Sequence, residues 1–313
     1  MTDASDRSTP AHRRTWIGLT GAAVAVALAI TAAAITFRRD RIESVASARD
    51  TNWPTPPAYL ASPTPPTDVS GPLIAVADLL VAAPADATPG RYYYTRVEQW
   101  SRTDDQIVGF LRENWRTDDG SLIQSEKRIP GQPAATFDMA RIGVPGTFNS
   151  VRPTRDTADA AAVQSFGERH GRPSGNLTEL AKVIDSDTGG QPLTTPCPPA
   201  CAITIPPIVF FDAITGLYRE TYLDRAARAA LLRLVAVQPG VTFLGEITDR
   251  GRRTAIGVAV TDGGVRFCLL FDRQTGVLLA AERAFPAHVL DDYTLYLTLE
   301  RRDNDTPTNP TAA

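Results

Sequence analysis

Apolar and polar positions alternate most clearly between residues 241 and 300. The stretches VTFLGEI (241–247), AIGVAV (255–260), VRFCLLF (265–271), VLLAAER (277–283) and YTLYLTLE (293–300) predict five consecutive strands, with TDGG and DRQTG as tight turns between neighbours. Reading every second residue gathers Val241, Phe243, Ile247, Val265, Phe267, Leu269, Phe271, Leu295, Leu297 and Leu299 on one side. Thr242, Glu246, Arg266, Thr294, Thr298 and Glu300 fall on the other. That pattern predicts an antiparallel sheet with one apolar face and one mostly polar face. Further up the chain, RYYYTRVEQWS (91–101) is strand-favouring, and IVGFLRENWR (107–116), the turn DDG and SLIQSEKRI (121–129) read as a hairpin. Residues 130–175 are rich in Pro, Gly and Asp and show no strong period.

An apolar sheet face needs a cover, and the amphipathic segments supply it. LIAVADLLVAA (73–83) places Leu73, Val76, Ala77, Leu80 and Val81 on one helical side, between Pro72 and Pro84. NLTELAKVI (176–184) predicts a short helix, and PPIVFFDAITGLY (206–218) a helix opened by proline. In DRAARAALLRLVAV (224–237), Asp224 is the expected N-cap; Ala227, Ala230, Leu231, Leu234 and Val235 face inward, and Arg225, Arg228 and Arg233 outward. The predicted class is α+β: an N-terminal transmembrane helix, then a curved antiparallel sheet with helices packed on its concave face.

The transmembrane part rests on Trp16–Phe37, 22 residues without a charged side chain. A helix of that length covers a hydrocarbon layer of about 30 Å. Arg13 and Arg14 bracket one end, Arg38 and Arg39 the other, and Trp16 sits where interfacial aromatics concentrate. The rival reading is a cleaved export signal ending at Ala32-Ala33-Ala34, although such apolar cores run about 7–15 residues. The expected organisation is a cytoplasmic leader (1–15), an anchor (16–37), a Pro-rich stalk (38–72), an extracytoplasmic α+β domain (73–301) and a polar tail (302–313). Arginine counts on the two flanks do not decide orientation. The stalk and the closely spaced cysteines favour placing the domain outside the cytosol.

A formal charge of −3 over 313 residues, without a basic block, argues against a nucleic-acid partner. His12, His170 and His288 stand away from Cys, Asp or Glu at ligand spacing, so the sequence gives no metal site, catalytic set or cofactor. Cys197 and Cys201, separated by three residues of which two are proline, read as a small disulfide ring, with free thiols the alternative. Cys268 reads as an isolated thiol. Tyr92, Tyr94, Trp100, Phe110 and Trp115 are candidates for lining a cleft, against the commoner reading of core packing. Asp212 in DAITG and the pair Asp291-Asp292 read as solvated turn carboxylates.

PGRYYYTRVEQW after a short apolar helix, LLRLVAVQPGV, TDRGRRTAIGVAV and LLFDRQTGVLLAAE together resemble a family of actinobacterial single-pass membrane proteins of unknown function, over most of residues 73–300. The element order is also similar to the lipoprotein-carrier (LolA-like) and periplasmic sigma-regulator (RseB-like) fold. These resemblances imply a concave apolar face for an acyl chain or a partner's peptide, and a setting in envelope signalling. A leader of about 15 residues is too short for a folded sigma-binding domain. The expected function is therefore a membrane-tethered, extracytoplasmic binding or sensing module without catalysis. Its ligand would be a lipid or an envelope protein, and its localisation the cell membrane. A carrier of lipid or lipoprotein acyl chains is the alternative.

Overall fold

The computed structural model describes residues 70–84, 86, 90–118, 121–158, 175–187, 206–285 and 289–305, all within the unit Thr51–Ala313. The leader, the segment 16–37, the stalk up to Val69, the three histidines, Cys197 and Cys201 lie outside the described residues. Among the described residues no helix is long and apolar enough to cross a membrane.

Helix α1 (Ser70–Ala82) leads into three long strands, β1 (Tyr92–Thr103), β2 (Gln106–Thr117) and β3 (Leu122–Pro133). Two short 3-10 turns, Ala134–Thr136 and Met139–Arg141, precede β4 (Thr154–Ala158). Helices α2 (Leu177–Asp187), α3 (Pro207–Glu220) and α4 (Arg225–Val237) follow, then β5 (Thr242–Thr248), β6 (Thr254–Asp262), β7 (Val265–Phe271), β8 (Leu278–Phe285) and β9 (Val289–Arg302). The strands form one open sheet in the order β4-β3-β2-β1-β9-β8-β7-β6-β5, and every neighbouring pair is antiparallel. Two meanders therefore meet where β1 pairs with β9.

Local chemistry explains the boundaries. The Asp224 side chain accepts from the Ala227 backbone N–H at 2.8 Å, capping α4 as its position in the sequence predicts. Pro207 opens α3, where a missing N–H costs nothing. Gly263 and Gly264, at φ +56° and +83°, make the two-residue turn between β6 and β7 that an L side chain would strain.

The helices cover one face of the sheet. Phe210, Phe211, Ile214 and Leu217 of α3 pack on Val258, Val260, Phe267, Leu269 and Phe271, with Leu73 and Leu80 of α1 and Leu231 and Leu234 of α4 in the same core. The opposite face is not polar, as alternation predicts, but carries a second core. The segment after β3 lays Phe137, Ile142 and Phe148 against Trp100, Leu270, Leu279, Tyr293 and Leu295.

Two β-bulges account for part of this difference. Register shifts fall between Phe243 and Gly245 of β5, and opposite Arg96/Val97 in β9. Each extra residue turns the following side chains to the other face. Val241 and Phe243 thus face the helices while Ile247 joins the second core. In β9, Leu295 is in the second core, Leu299 packs toward the helix-side core, and Leu297 is 37% exposed.

Three helical assignments also change. Val81 is 59% exposed, because α1 buries Leu73, Val76, Ala77 and Leu80 only. Arg228, expected in water, is buried: its guanidinium donates to the Asp86 carboxylate and to the Thr275 and Leu223 carbonyls. Asp212 lies within α3 and pairs with Arg283 rather than standing in a solvated turn.

Candidate functional site

Strand register sorts the five aromatic candidates. Tyr94 pairs with Trp115, Trp100 with Gly109, and Gln99 with Phe110. Tyr92, Tyr94, Trp100 and Trp115 therefore share the second face, and Phe110 lies on the helix side. Tyr94, Trp100 and Trp115 are fully buried. Trp100 packs on Phe137 and Phe148, with ring centroids 5.0 and 5.7 Å apart. Tyr94 tilts against Trp115 at 5.2 Å, donates to Glu113 at 2.6 Å, and lies under the Arg302 guanidinium at 3.7 Å. Phe110 and Tyr92 are the two that keep partial exposure.

The second core also holds titratable groups. Glu98, 3% exposed, accepts from Trp100 Nε1 at 2.6 Å and from the Gly143 backbone N–H at 2.8 Å. Burial pushes its carboxyl above the usual glutamate value, and these two donors pull it partly back. Glu282, closed to solvent, receives Arg250 at 2.9 Å, and its charge adds to the burial that raises the Tyr293 phenol and the Cys268 thiol. In the turn joining β5 to β6, Arg253 is held by the buried Asp249 carboxylate at 2.7 Å. Arg253 then donates to the Tyr296 carbonyl at 2.7 Å and the Leu279 carbonyl at 2.9 Å, both beside register shifts. Each of these groups is occupied in holding the fold.

The accessible polar system is on the helix side, over β9, β1, β2 and β3. Asp292 Oδ2 accepts from Ser101 Oγ at 2.6 Å and from Gln99 Nε2 at 3.0 Å. Gln99 Oε1 accepts from Arg112 at 2.7 Å, and Arg112 Nε donates to Glu126 at 2.6 Å. Arg283, the cross-strand partner of Asp292, reaches Asp212 of α3 and lies 4.8 Å over Phe267. Beside this ladder the Phe110 ring faces two guanidiniums, Arg112 at 4.6 Å and Arg128 at 5.5 Å. The ladder members are partly buried and Arg128 is exposed.

Of this polar system and the ring beside it, the sequence pointed to Phe110 and, as turn carboxylates, to Asp212 and Asp292. Gln99, Ser101 and Arg112 carry no motif; the signal that finds them is the hairpin register, which sets Arg112 two residues from Phe110 on one face. Among the described residues no group of three His, Cys, Asp or Glu is placed to hold a metal ion.

The chain is thus an α+β protein built on an open, nine-stranded antiparallel sheet. No family model and no curated protein matches it. It is similar to the chain in a complex structure of Pseudomonas aeruginosa MucA/MucB, at 12% identity over 76% of this chain and 59% of that one, with a TM-score of 0.29. A crystal structure of MucB is similar at 13% identity over 75% of this chain and 59% of that one, with a TM-score of 0.28. The chain therefore spans about three fifths of the length of the chains it matches.

Proposed function

We propose that this chain is a membrane-tethered, extracytoplasmic binding module without catalysis, and that it recognises an envelope protein through the helix-side face of β1–β3 and β9. The observation that carries this reading is the accessible ladder of Asp292, Gln99, Arg112 and Glu126 beside the doubly cation-faced Phe110. Such a surface, with an aromatic ring, guanidiniums and pre-oriented acceptors on a rigid sheet, has the composition of a recognition patch. The uncharged run 16–37 supports the tether, and the stalk supports a domain held off the bilayer.

The alternative, a carrier of lipid or acyl chains, needs an open apolar cavity. Between sheet and helices, Phe210, Phe211, Ile214 and Leu217 already fill that space against Phe267 and Phe271, which favours recognition at the surface.

A photo-crosslinking residue at position 110 of the full chain, in its native membrane, tests the reading. A discrete protein adduct that is lost with Arg112→Glu is the expected result. Adducts to lipid alone would favour the carrier, and the absence of any adduct dependent on Arg112 would contradict the proposed surface.

A further inference from the structure

The two guanidiniums beside the Phe110 ring are not equivalent. Arg112, at 4.6 Å, is committed: it donates to Gln99 Oε1 and to Glu126. Arg128, the cross-strand partner of Phe110 and 5.5 Å from the ring centroid, is exposed and has no acceptor among the described residues. A contact with an aromatic face uses a guanidinium's charge and leaves its in-plane N–H groups to other partners.

A second arginine stands at the same end of the sheet. Glu126 of β3 pairs with Thr154 of β4, whose hydroxyl donates to the Glu126 carbonyl at 3.3 Å. Arg152 lies two residues before Thr154, as Arg128 lies two residues after Glu126, so both follow the same end of the β3–β4 ladder. Arg152 is also exposed and without an acceptor among the described residues. The ladder does not neutralise them, because its carboxylates are engaged: Asp292 with Ser101 and Gln99, Glu126 with Arg112, and Asp212 with Arg283. The surface around Phe110 therefore presents open guanidinium donors on its β3 side.

We propose that this surface selects an acidic segment of its protein partner, and that Arg128 is the specificity-determining residue, pairing with a carboxylate of that segment while Phe110 holds its guanidinium in place. The inference rests on the partner-binding reading above and adds the chemistry of the partner. A carboxylate offers two acceptor oxygens that match the guanidinium fork, and a fork already ordered loses less freedom on pairing. An anionic bilayer surface matches less well, because Glu126 and Asp292 lie within the same polar system and would face its headgroups. An extended peptide can set its carboxylates at the arginine side alone.

Fluorescence anisotropy of a labelled hexaglutamate peptide, titrated with the full chain in detergent at low salt, tests the proposal. Hexaglutamate is expected to bind and hexaglutamine not to bind. Arg128→Gln is expected to weaken the hexaglutamate complex about fivefold or more. Arg128→Lys, which keeps the charge without the fork, should restore part of that loss. Lys127→Gln removes the same charge from the neighbouring residue, which pairs with Leu111 and so belongs to the second face, and should leave the affinity unchanged. No binding of hexaglutamate, equal affinity for the two peptides, or equal weakening by Arg128→Gln and Lys127→Gln would overturn the proposal. Tighter binding of glycerol phosphate than of hexaglutamate, read by competition, would overturn it in favour of a lipid headgroup. Protein adducts at position 110 that persist in Arg128→Gln would remove the acidic preference and leave the partner reading standing. Arg128-dependent binding of hexaglutamate without any adduct would support the acidic preference and count against the partner reading, so the two failures are distinguishable.

Discussion

The Trp100 ring lies across Gly109, its cross-strand partner: a Cβ added to Gly109 would sit 2.6 Å from Trp100 Cζ3. The glycine is the floor on which the largest side chain of the second core rests, and it fixes where Phe137 and Phe148 close over that ring. Gly109→Ala is therefore expected to cost about 1–3 kcal/mol, as overpacking does. Urea unfolding with an unchanged m-value and a lower midpoint would show it.

Glu98 latches the segment after β3 to β1. Glu98→Ala strands the Trp100 and Gly143 donors in the core, and a loss of about 2–4 kcal/mol is expected. Glu98→Gln keeps an acceptor and removes the charge, giving a handle on pH. Because burial raises the folded carboxyl above the ordinary glutamate value of 4.5, the folded state holds the proton more tightly than the unfolded one. The Glu98 contribution is fully present below that ordinary value and is lost as pH rises through the folded one. Thermal midpoints of the wild type relative to Glu98→Gln should fall across that window and level off above it; a difference independent of pH would contradict the raised carboxyl.

Arg253 links Asp249 to two carbonyls beside bulges. Its removal leaves a buried carboxylate and two unpaired acceptors, so Arg253→Ala should destabilise by about 3–5 kcal/mol. Arg253→Lys, with one ammonium in place of a five-donor fork, should recover only part of the loss. Equal stability of all three proteins by chemical denaturation would refute this role.

The three cysteines give a count. Cys268 is buried and its thiol is held protonated, so it should resist alkylation until the protein unfolds. With Cys197 and Cys201 bonded to one another, no thiol reacts in the native protein without reductant and one reacts in denaturant. Rapid labelling of two thiols in the native protein would show the ring to be open.

Element positions were readable from the sequence where periodicity persists. The helices ending in Glu220 and Val237 and the strands from Thr242 to Phe285 fall within a few residues of their predicted limits, because caps, prolines and tight turns mark them locally. Face assignments failed at the bulges of β5 and β9, since one extra residue inverts all that follows and leaves no compositional mark. The second cover was hidden because Phe137, Ile142 and Phe148 come from a segment without a period. Arg228 read as a surface arginine because its partners, Asp86 and the Thr275 and Leu223 carbonyls, are fixed by tertiary contact. The ladder was equally silent: glutamine, serine and arginine gain meaning only once β9 is laid beside β1.

The claim beneath the functional reading is that residues 70–305 stand outside the cytosol on a bilayer-spanning segment. Two reporters fused after Ala313 in the native host, one active only in the cytosol and one only beyond the membrane, measure this directly. Activity of the external reporter alone, in the membrane fraction and released only by detergent, is the predicted result. Activity of the cytosolic reporter, or a chain trimmed behind Ala34 and found in the aqueous fraction, would contradict the account.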